Sequence, residues 1–157
     1  QPHGIEKPFT MTMDAEPIFL DTNVLLGATD SSRAAHTDCH ALIESGLQGI
    51  RSLFTSGQVI REYLVVATRP LEVNGLGMAP GLALRNITSF KQCIQLLDET
   101  QQVSNRLTKL IAKHQLQGKR IHDANIAATM LENGITQLKT LNPGDFSCFE
   151  TLTVAKP

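Results

Sequence analysis

Short apolar runs alternate with segments of helical periodicity along this chain. Ile18 to Leu20 is an apolar run that ends in Asp21, and residues 53–55 form a second short run of the same kind. Between them, His36 to Leu47 carries apolar residues at helical spacing and stops near two glycines. This alternation of strand and helix signals predicts βα units around a mainly parallel sheet.

The same alternation continues through the rest of the chain. Ser56 is placed to cap a helix from Gly57 to Thr68, which Pro70 brings to an end. Residues 73–81 hold three glycines and a proline, which predicts an exposed loop. Beyond it we expect helices over residues 82–93, 100–115 and 122–133, and strands over residues 94–97, 135–141 and 152–154. The predicted fold class is therefore α/β.

Composition limits the class of protein. The 157 residues are 41% hydrophobic and 18% charged, with a formal net charge of -1, which is typical of a soluble globular domain and not of a globally basic nucleic-acid binder. Its cysteines, Cys39, Cys93 and Cys148, are widely spaced, which favours reduced thiols and a cytoplasmic location over a disulfide framework or a zinc site. No apolar run approaches the length needed to span a bilayer, so we expect no membrane association.

The first ten residues lack the pattern of a signal peptide. Residues 7–10, directly before Met11, resemble an expression-vector remnant, which suggests that the natural start is Met11 or Met13. We therefore interpret residues 1–10 as a remnant and expect residues 11–157 to form a single domain.

Four acidic residues stand where they can meet at one edge of the predicted sheet. Asp21 directly follows the first strand, at the carboxyl edge where ligands and catalytic groups collect in open α/β sheets. Asp145 follows the predicted strand over residues 135–141 and reaches the same edge if the two strands are parallel. Glu62 flanks the buried face of one predicted helix, and Asp123 lies on the inward face of another.

Some of these positions also have a simpler explanation. Glu62 can reach solvent or pair with Arg61 or Arg69, and Asp123 can favour the start of a helix through the dipole. Asn142, three residues before Asp145, is typical of a turn, whereas Asp145 is less easily explained in that way. As a set, however, carboxylates forced together repel one another and take up protons unless a divalent cation neutralises them. All-oxygen ligation suits Mg²⁺ or Mn²⁺, and such a cation can generate a hydroxide and stabilise charge on a phosphodiester.

Four short motifs around these acids resemble those of the PIN-domain family, in the same order. The motifs are Leu20-Asp21-Thr22-Asn23-Val24, Gln58-Val59-Ile60-Arg61-Glu62-Tyr63, His122-Asp123-Ala124 before Ile126-Ala127-Ala128, and Thr140-Leu141-Asn142-Pro143-Gly144-Asp145-Phe146. The resemblance covers roughly residues 17–154. It implies a three-layer α/β/α sandwich and a metal-dependent endoribonuclease that cuts single-stranded RNA, most similar to the VapC-type toxins of bacterial toxin–antitoxin pairs.

Transferred residue by residue, the resemblance also assigns the site. Catalysis and the binding of Mg²⁺ or Mn²⁺ fall to Asp21, Glu62, Asp123 and Asp145, and the supporting polar groups are Thr22, Asn23, Thr140 and Asn142. Asn142 stands where many family members carry a further acid, which leaves open whether one metal ion is bound or two. An RNA substrate, a small protein antitoxin and a homodimer are implied by the family alone.

A basic stripe on the predicted helix over residues 100–115 continues towards Asp123. It is either a solvated helix face or a surface that follows RNA phosphates. The candidate RNA-phosphate contacts are Arg106, Lys109, Lys113, Lys119 and Arg120. Of the nearby histidines, His114 falls on the apolar face and is expected in the core, and His122 should point away from Asp123.

Two other functions stay open from the sequence. A haloacid-dehalogenase-like phosphatase also begins with an Asp after its first strand, but it needs a second acid two residues on, where this chain has Asn23. Alternatively, a PIN-fold domain can serve as an RNA- or protein-binding module without catalysis. The intact acids Asp21, Glu62 and Asp123 argue against that second alternative.

Overall fold

A computed structural model describes residues 15–157, so the predictions made for residues 1–10 and for the natural start lie outside the described residues. Within that range five strands pair in parallel throughout, in the order β3-β2-β1-β4-β5. The sheet predicted as mainly parallel is therefore parallel at every pairing between described strands. The strands are β1 (Ile18–Leu20), β2 (Leu53–Ser56), β3 (Ile94–Leu97), β4 (Gln137–Lys139) and β5 (Thr153–Ala155).

Helices cover the sheet in two groups, which gives the predicted α/β/α sandwich. The helix α1 packs against α2 and α3, and α3 packs against α4, whereas α5 and α6 pack on each other. Parallel strands need such crossover helices, because their chain must return to the same edge each time. The α-helices are α1 (Thr22–Thr29), α2 (His36–Leu47), α3 (Gly57–Thr68), α4 (Pro80–Phe90), α5 (Gln101–His114) and α6 (Arg120–Glu132), with 3₁₀ helices at Leu71–Val73 and Pro143–Phe146.

The central strand β1 explains why the first acid stands where it does. β1 lies between β2 and β4, and all three of its residues are buried. A strand covered on both faces reads as a continuous apolar run, so Asp21 is the first position at which a polar side chain is tolerated. The backbone N–H of Asp21 donates to the carbonyl of Lys139 at 3.1 Å, which holds the ends of β1 and β4 side by side.

Several predicted elements have the predicted bounds in the structure, including β1, α2, α3 and β3. Others differ. The short helix α1 was not predicted, and the helix expected over residues 82–93 begins two residues earlier, at Pro80, and ends at Phe90. Ser56 precedes α3 as expected, but its side chain makes no capping hydrogen bond, and its hydroxyl is buried without a partner among the described residues. The predicted cap is therefore wrong.

The segment predicted as an exposed loop over residues 73–81 folds back on the end of α3. The backbone N–H of Gly77 donates to the carbonyl of Arg69 at 2.9 Å, and that of Met78 donates to Ala67 at 2.9 Å. Gly75 is buried, and a Cβ there would lie 1.8 Å from the carbonyl oxygen of Arg69. Only glycine lets the two backbones approach so closely.

The cysteines of the described region are free thiols, as expected, with Cys39 buried. Across residues 15–157, none of the helices combines the length and the apolar character needed to cross a bilayer.

Candidate active site

Asp21 connects the end of β1 to two neighbouring elements. Its Oδ1 accepts a hydrogen bond from the backbone N–H of Thr22 at 2.8 Å, which caps α1, and its Oδ2 accepts one from Thr140 Oγ1 at 2.8 Å. Burial raises the pKa of Asp21, the two hydrogen bonds lower it, and the negative charges of Glu62 and Asp145 raise it further. Burial and neighbouring acids thus make a charged Asp21 unfavourable in the protein alone.

Glu62 is held by hydrogen bonds and not by an ion pair. Its Oε2 accepts from Thr22 Oγ1 at 2.8 Å, and its Oε1 accepts from Gln58 Nε2 at 3.0 Å. Among the ion pairs found in residues 15–157, none joins it to Arg61 or Arg69. Its charge is therefore left to act on the other acids.

Asp123 lies in the first turn of α6 and is half-buried. Burial is the main cause that raises its pKa from the usual 3.8 to about 6. The negative charges of Asp21, Asp145 and Glu62 add to this rise, and Arg120 opposes it. The structure therefore brings the four predicted acids within electrostatic range of one another at the carboxyl edge of the sheet.

Three of the predicted supporting groups, Asn23, Thr140 and Asn142, form one polar cluster between α1 and the end of β4, whereas Thr22 bonds to Glu62. Thr140 Oγ1, which donates to Asp21, accepts from Asn23 Nδ2 and from the backbone N–H of Asn142, both at 3.2 Å. The Oδ1 of Asn23 accepts from the backbone N–H of Leu141 at 3.0 Å. At the position where a haloacid-dehalogenase-like phosphatase would have its second acid, the amide of Asn23 connects α1 to the segment after β4. Asn142 takes part through its backbone N–H.

Gln58 is a site residue that the sequence reasoning missed. It is 1% exposed, and its Nε2 donates both to Glu62 Oε1 and to the backbone carbonyl of His122, each at 3.0 Å. Its Oε1 accepts from Asn125 Nδ2 at 2.7 Å. Gln58 therefore links α3 to α6 beside Asp123, and the available signal was its position one helical turn before Glu62.

The acids open onto a cleft of about 660 Å³. Glu62, Asp123 and Asp145 line it, and so does His122, whose exposed side chain was expected to point away from Asp123. Positive residues also line this cleft, namely Arg61, Arg69 and Lys119. The cleft therefore presents both signs of charge to a ligand.

The structure divides the predicted basic stripe between two places. Lys119 lines the acidic cleft, and Arg120 acts on Asp123 and donates to Cys148 Sγ at 3.3 Å. Arg106, in contrast, pairs with Glu132 at 2.6 Å. Arg106, Lys109 and Lys113 line a separate cleft of about 230 Å³ together with Glu132, at the other end of α6 from Asp123.

His114, expected in the core, is half-buried and packs edge-on against Phe149, with 5.6 Å between the ring centroids.

The donor set fits a hard divalent cation by its chemistry. As they stand, no three His, Cys, Asp or Glu side chains of residues 15–157 are close enough together to form a metal site. The acids of the cleft nevertheless offer only oxygen donors, which Mg²⁺ and Mn²⁺ prefer. Burial is the main cause of the raised pKa values of Asp21 and Asp123, and a bound cation would also relieve the repulsion that adds to this rise.

Comparison with known proteins gives a consistent result at the level of fold. A family model described as the PIN domain matches residues 18–147. No curated protein matches the sequence. Similar solved structures include VapC20 of Mycobacterium tuberculosis, described as a sarcin-ricin loop cleaving toxin, with a TM-score of 0.67 and 18% identity over 89% of this chain and 99% of that one.

Two further solved structures, described as VapBC-1 and VapBC2, are also similar. VapBC-1 of nontypeable Haemophilus influenzae has a TM-score of 0.63 and 18% identity over 89% of this chain and 97% of that one. VapBC2 of Rickettsia felis, described as bound to a DNA fragment from its promoter, has a TM-score of 0.61 and 16% identity over 89% of this chain and 98% of that one. At these identities the similarity is one of fold.

Proposed function

The chain belongs to the PIN-domain family, and from that premise we propose that it is a divalent-metal-dependent endoribonuclease acting on single-stranded RNA. One observation carries the proposal: Asp21, Glu62, Asp123 and Asp145 act electrostatically on one another at the carboxyl edge of the central strands. A cation bound among these carboxylates would neutralise their mutual repulsion, which is the physical reason that the cluster favours a metal site.

In this proposal Asp21 and Asp123 hold Mg²⁺ or Mn²⁺ most directly, and Glu62 and Asp145 complete the site. The cation, when bound, supplies charge neutralisation at the scissile phosphate and a water that is nucleophilic at neutral pH. The hydroxyls of Thr140 and Thr22 orient Asp21 and Glu62 through hydrogen bonds of 2.8 Å. After accepting these hydrogen bonds, the carboxylates of Asp21 and Glu62 still have free lone pairs that can bind a cation.

We further propose that the enzyme is the toxin of a toxin–antitoxin pair. The similar structures described as VapBC complexes support this, because the chain covers nearly the whole of their matching chains. The proposal includes a small protein antitoxin as partner and a homodimer as the assembly.

Asp21→Asn tests the catalytic proposal. Asn is as good a helix cap as Asp, so α1 should stay folded, whereas the loss of charge should reduce RNA cleavage by a factor on the order of 100 or more. Cleavage of a labelled single-stranded RNA is measured in Mg²⁺, in Mn²⁺ and in EDTA, and metal binding is measured by calorimetry. Asp98→Asn, which removes an exposed carboxylate after β3, is the matched control.

Full activity of Asp21→Asn would refute the assignment of this site. RNA binding by the unaltered protein without metal-dependent cleavage would instead favour a binding module.

A further inference from the structure

Three positive side chains line the acidic cleft, and within the described part of the chain they form no ion pairs with its acids. Arg61, Arg69 and Lys119 line the cleft together with the acids. None of the ion pairs found within residues 15–157 includes any of these three. Their charge is therefore available to a ligand.

The three residues lie at or next to two of the helices that carry the acids. Arg61 adjoins Glu62 on α3, and Arg69 follows the last turn of the same helix, about 12 Å beyond Arg61 along its axis. Lys119 directly precedes α6, one turn before Asp123. A ligand in the cleft can therefore meet positive groups from both helices.

Arg69 is held in place with unused donor capacity. One guanidinium nitrogen, Nη2, donates to the carbonyl of Asn74 at 3.1 Å, and the loop of residues 70–78 packs against the backbone of Arg69. Its Nε is buried and has no hydrogen-bond partner among the described residues. A buried donor without a partner is destabilising, and a bound anion improves the electrostatic environment of the whole guanidinium group.

The chemistry of this arrangement matches a polyanionic strand. The acidic centre repels a phosphate unless a cation is bound there, whereas guanidinium and ammonium groups attract phosphates directly. A single strand carries a phosphate at every nucleotide, so neighbouring phosphates can occupy the positive positions while one lies at the centre.

We propose that Arg61, Arg69 and Lys119 bind the RNA backbone phosphates on either side of the bond that is cut. This inference rests on the proposed function. The strand then crosses the second half of α3 and the start of α6. It does not follow the exposed face of α5, where Arg106 is already paired with Glu132.

The test measures RNA affinity in an Asp21→Asn background with Mg²⁺, so that the probe is not cut. Fluorescence anisotropy of a short labelled polyuridine is followed over a range of salt concentrations for Arg61→Gln/Arg69→Gln. We expect affinity to fall about tenfold and the slope of log affinity against log salt to fall by about 1.4, since each single-strand phosphate contact contributes about 0.7.

Arg51→Gln/Lys91→Gln is the control, because it removes the same charge from two exposed residues that precede β2 and β3, at the opposite edge of the sheet. It should change affinity less than twofold or so, as expected for distant charges screened by salt. Thermal unfolding checks that the variants fold, and Arg61→Gln alone, at an exposed position, shows about half of the effect even if Arg69→Gln is unstable.

Equal losses in the test and control pairs would overturn the proposal. So would a larger loss in Lys109→Gln/Lys113→Gln, which would favour α5 as the RNA path. Weaker binding of an acidic peptide with unchanged RNA affinity would also overturn it, in favour of a protein ligand. If RNA is neither bound nor cut by the unaltered chain, the proposed function fails as well. RNA binding that the arginine pair leaves unchanged refutes this inference alone.

Discussion

Replacing Asp123 by Asn should stabilise the metal-free protein at neutral pH. Burial, with a further contribution from the neighbouring acids, raises the pKa of Asp123 to about 6 from the usual 3.8, so the folded state holds this proton more tightly than the unfolded state does. The contribution of Asp123 to the free energy of unfolding is therefore most favourable at acid pH, where its carboxyl is protonated. This contribution falls as the pH rises from about 4 to about 6, and it stays lost at higher pH.

The magnitude follows from the size of the pKa rise. A change from 3.8 to about 6 corresponds to at most about 3 kcal/mol. Because Asp123 is only half-buried, solvent screening reduces this, and we expect a net penalty of about 1 to 1.5 kcal/mol near pH 7.5. Asn has nearly the same shape without the charge, so Asp123→Asn should recover this amount.

Urea unfolding followed by circular dichroism in EDTA measures the effect at about pH 7.5 and about pH 4.5. The gain of the variant should be largest at the higher pH and should shrink at the lower one. Asp38→Asn, which removes an exposed acid in the first turn of α2, should give no gain. Equal or lower stability of Asp123→Asn near pH 7.5, or a gain independent of pH, would refute the reasoning.

Three further substitutions test the surroundings of the acids. Gln58→Leu should lower the free energy of unfolding by about 1–3 kcal/mol in urea and reduce the kcat of RNA cleavage, because partly buried partners including Glu62 lose their hydrogen bonds. Unchanged stability and kcat would contradict this. Thr140→Val removes a hydrogen bond that lowers the pKa of Asp21, so the acid limb of the pH–rate profile should move to higher pH. An unchanged acid limb would show that this hydrogen bond does not control the protonation of Asp21. Gly75→Ala should cost about 2–3 kcal/mol, seen as a lower Tm in calorimetry, because its Cβ would meet a carbonyl oxygen at 1.8 Å; an unaltered Tm would show that the loop can move away from α3.

The parallel sheet was predictable because its signal is local. β1 is buried on both faces, so the apolar run and the acid that ends it are both visible in the sequence. The same reasoning brought Asp21, Glu62, Asp123 and Asp145 to one edge of the predicted sheet, because each follows a predicted strand or lies on a predicted helix. The short helix α1 escaped notice because its residues are mostly buried and lack a clear polar face.

What could not be predicted depends on contacts between elements. From the sequence, the basic residues of α5 and those at the start of α6 were predicted to form one continuous basic stripe. The structure separates them, because Arg106 pairs with Glu132 while Lys119 lines the cleft that contains the acids. Gln58 has an ordinary position on α3, and its importance comes from partners on α6. The approach of Gly75 to Arg69 likewise requires knowledge of how the loop returns to the helix.

The hydrogen bond between Thr140 and Asp21 joins residues 119 positions apart in the chain. Because β4 lies directly beside β1, the central strand gains this neighbour only after most of the protein has been synthesised. A nascent chain therefore carries Asp21, Glu62 and Asp123 without the strand that aligns the first of them, and without Asp145. Closing so long a loop is also slow compared with forming the local helices. We expect the acids to be brought together in one of the last events of folding, so that a chain still on the ribosome lacks the complete site and, under the proposed function, cannot cut the RNA around it.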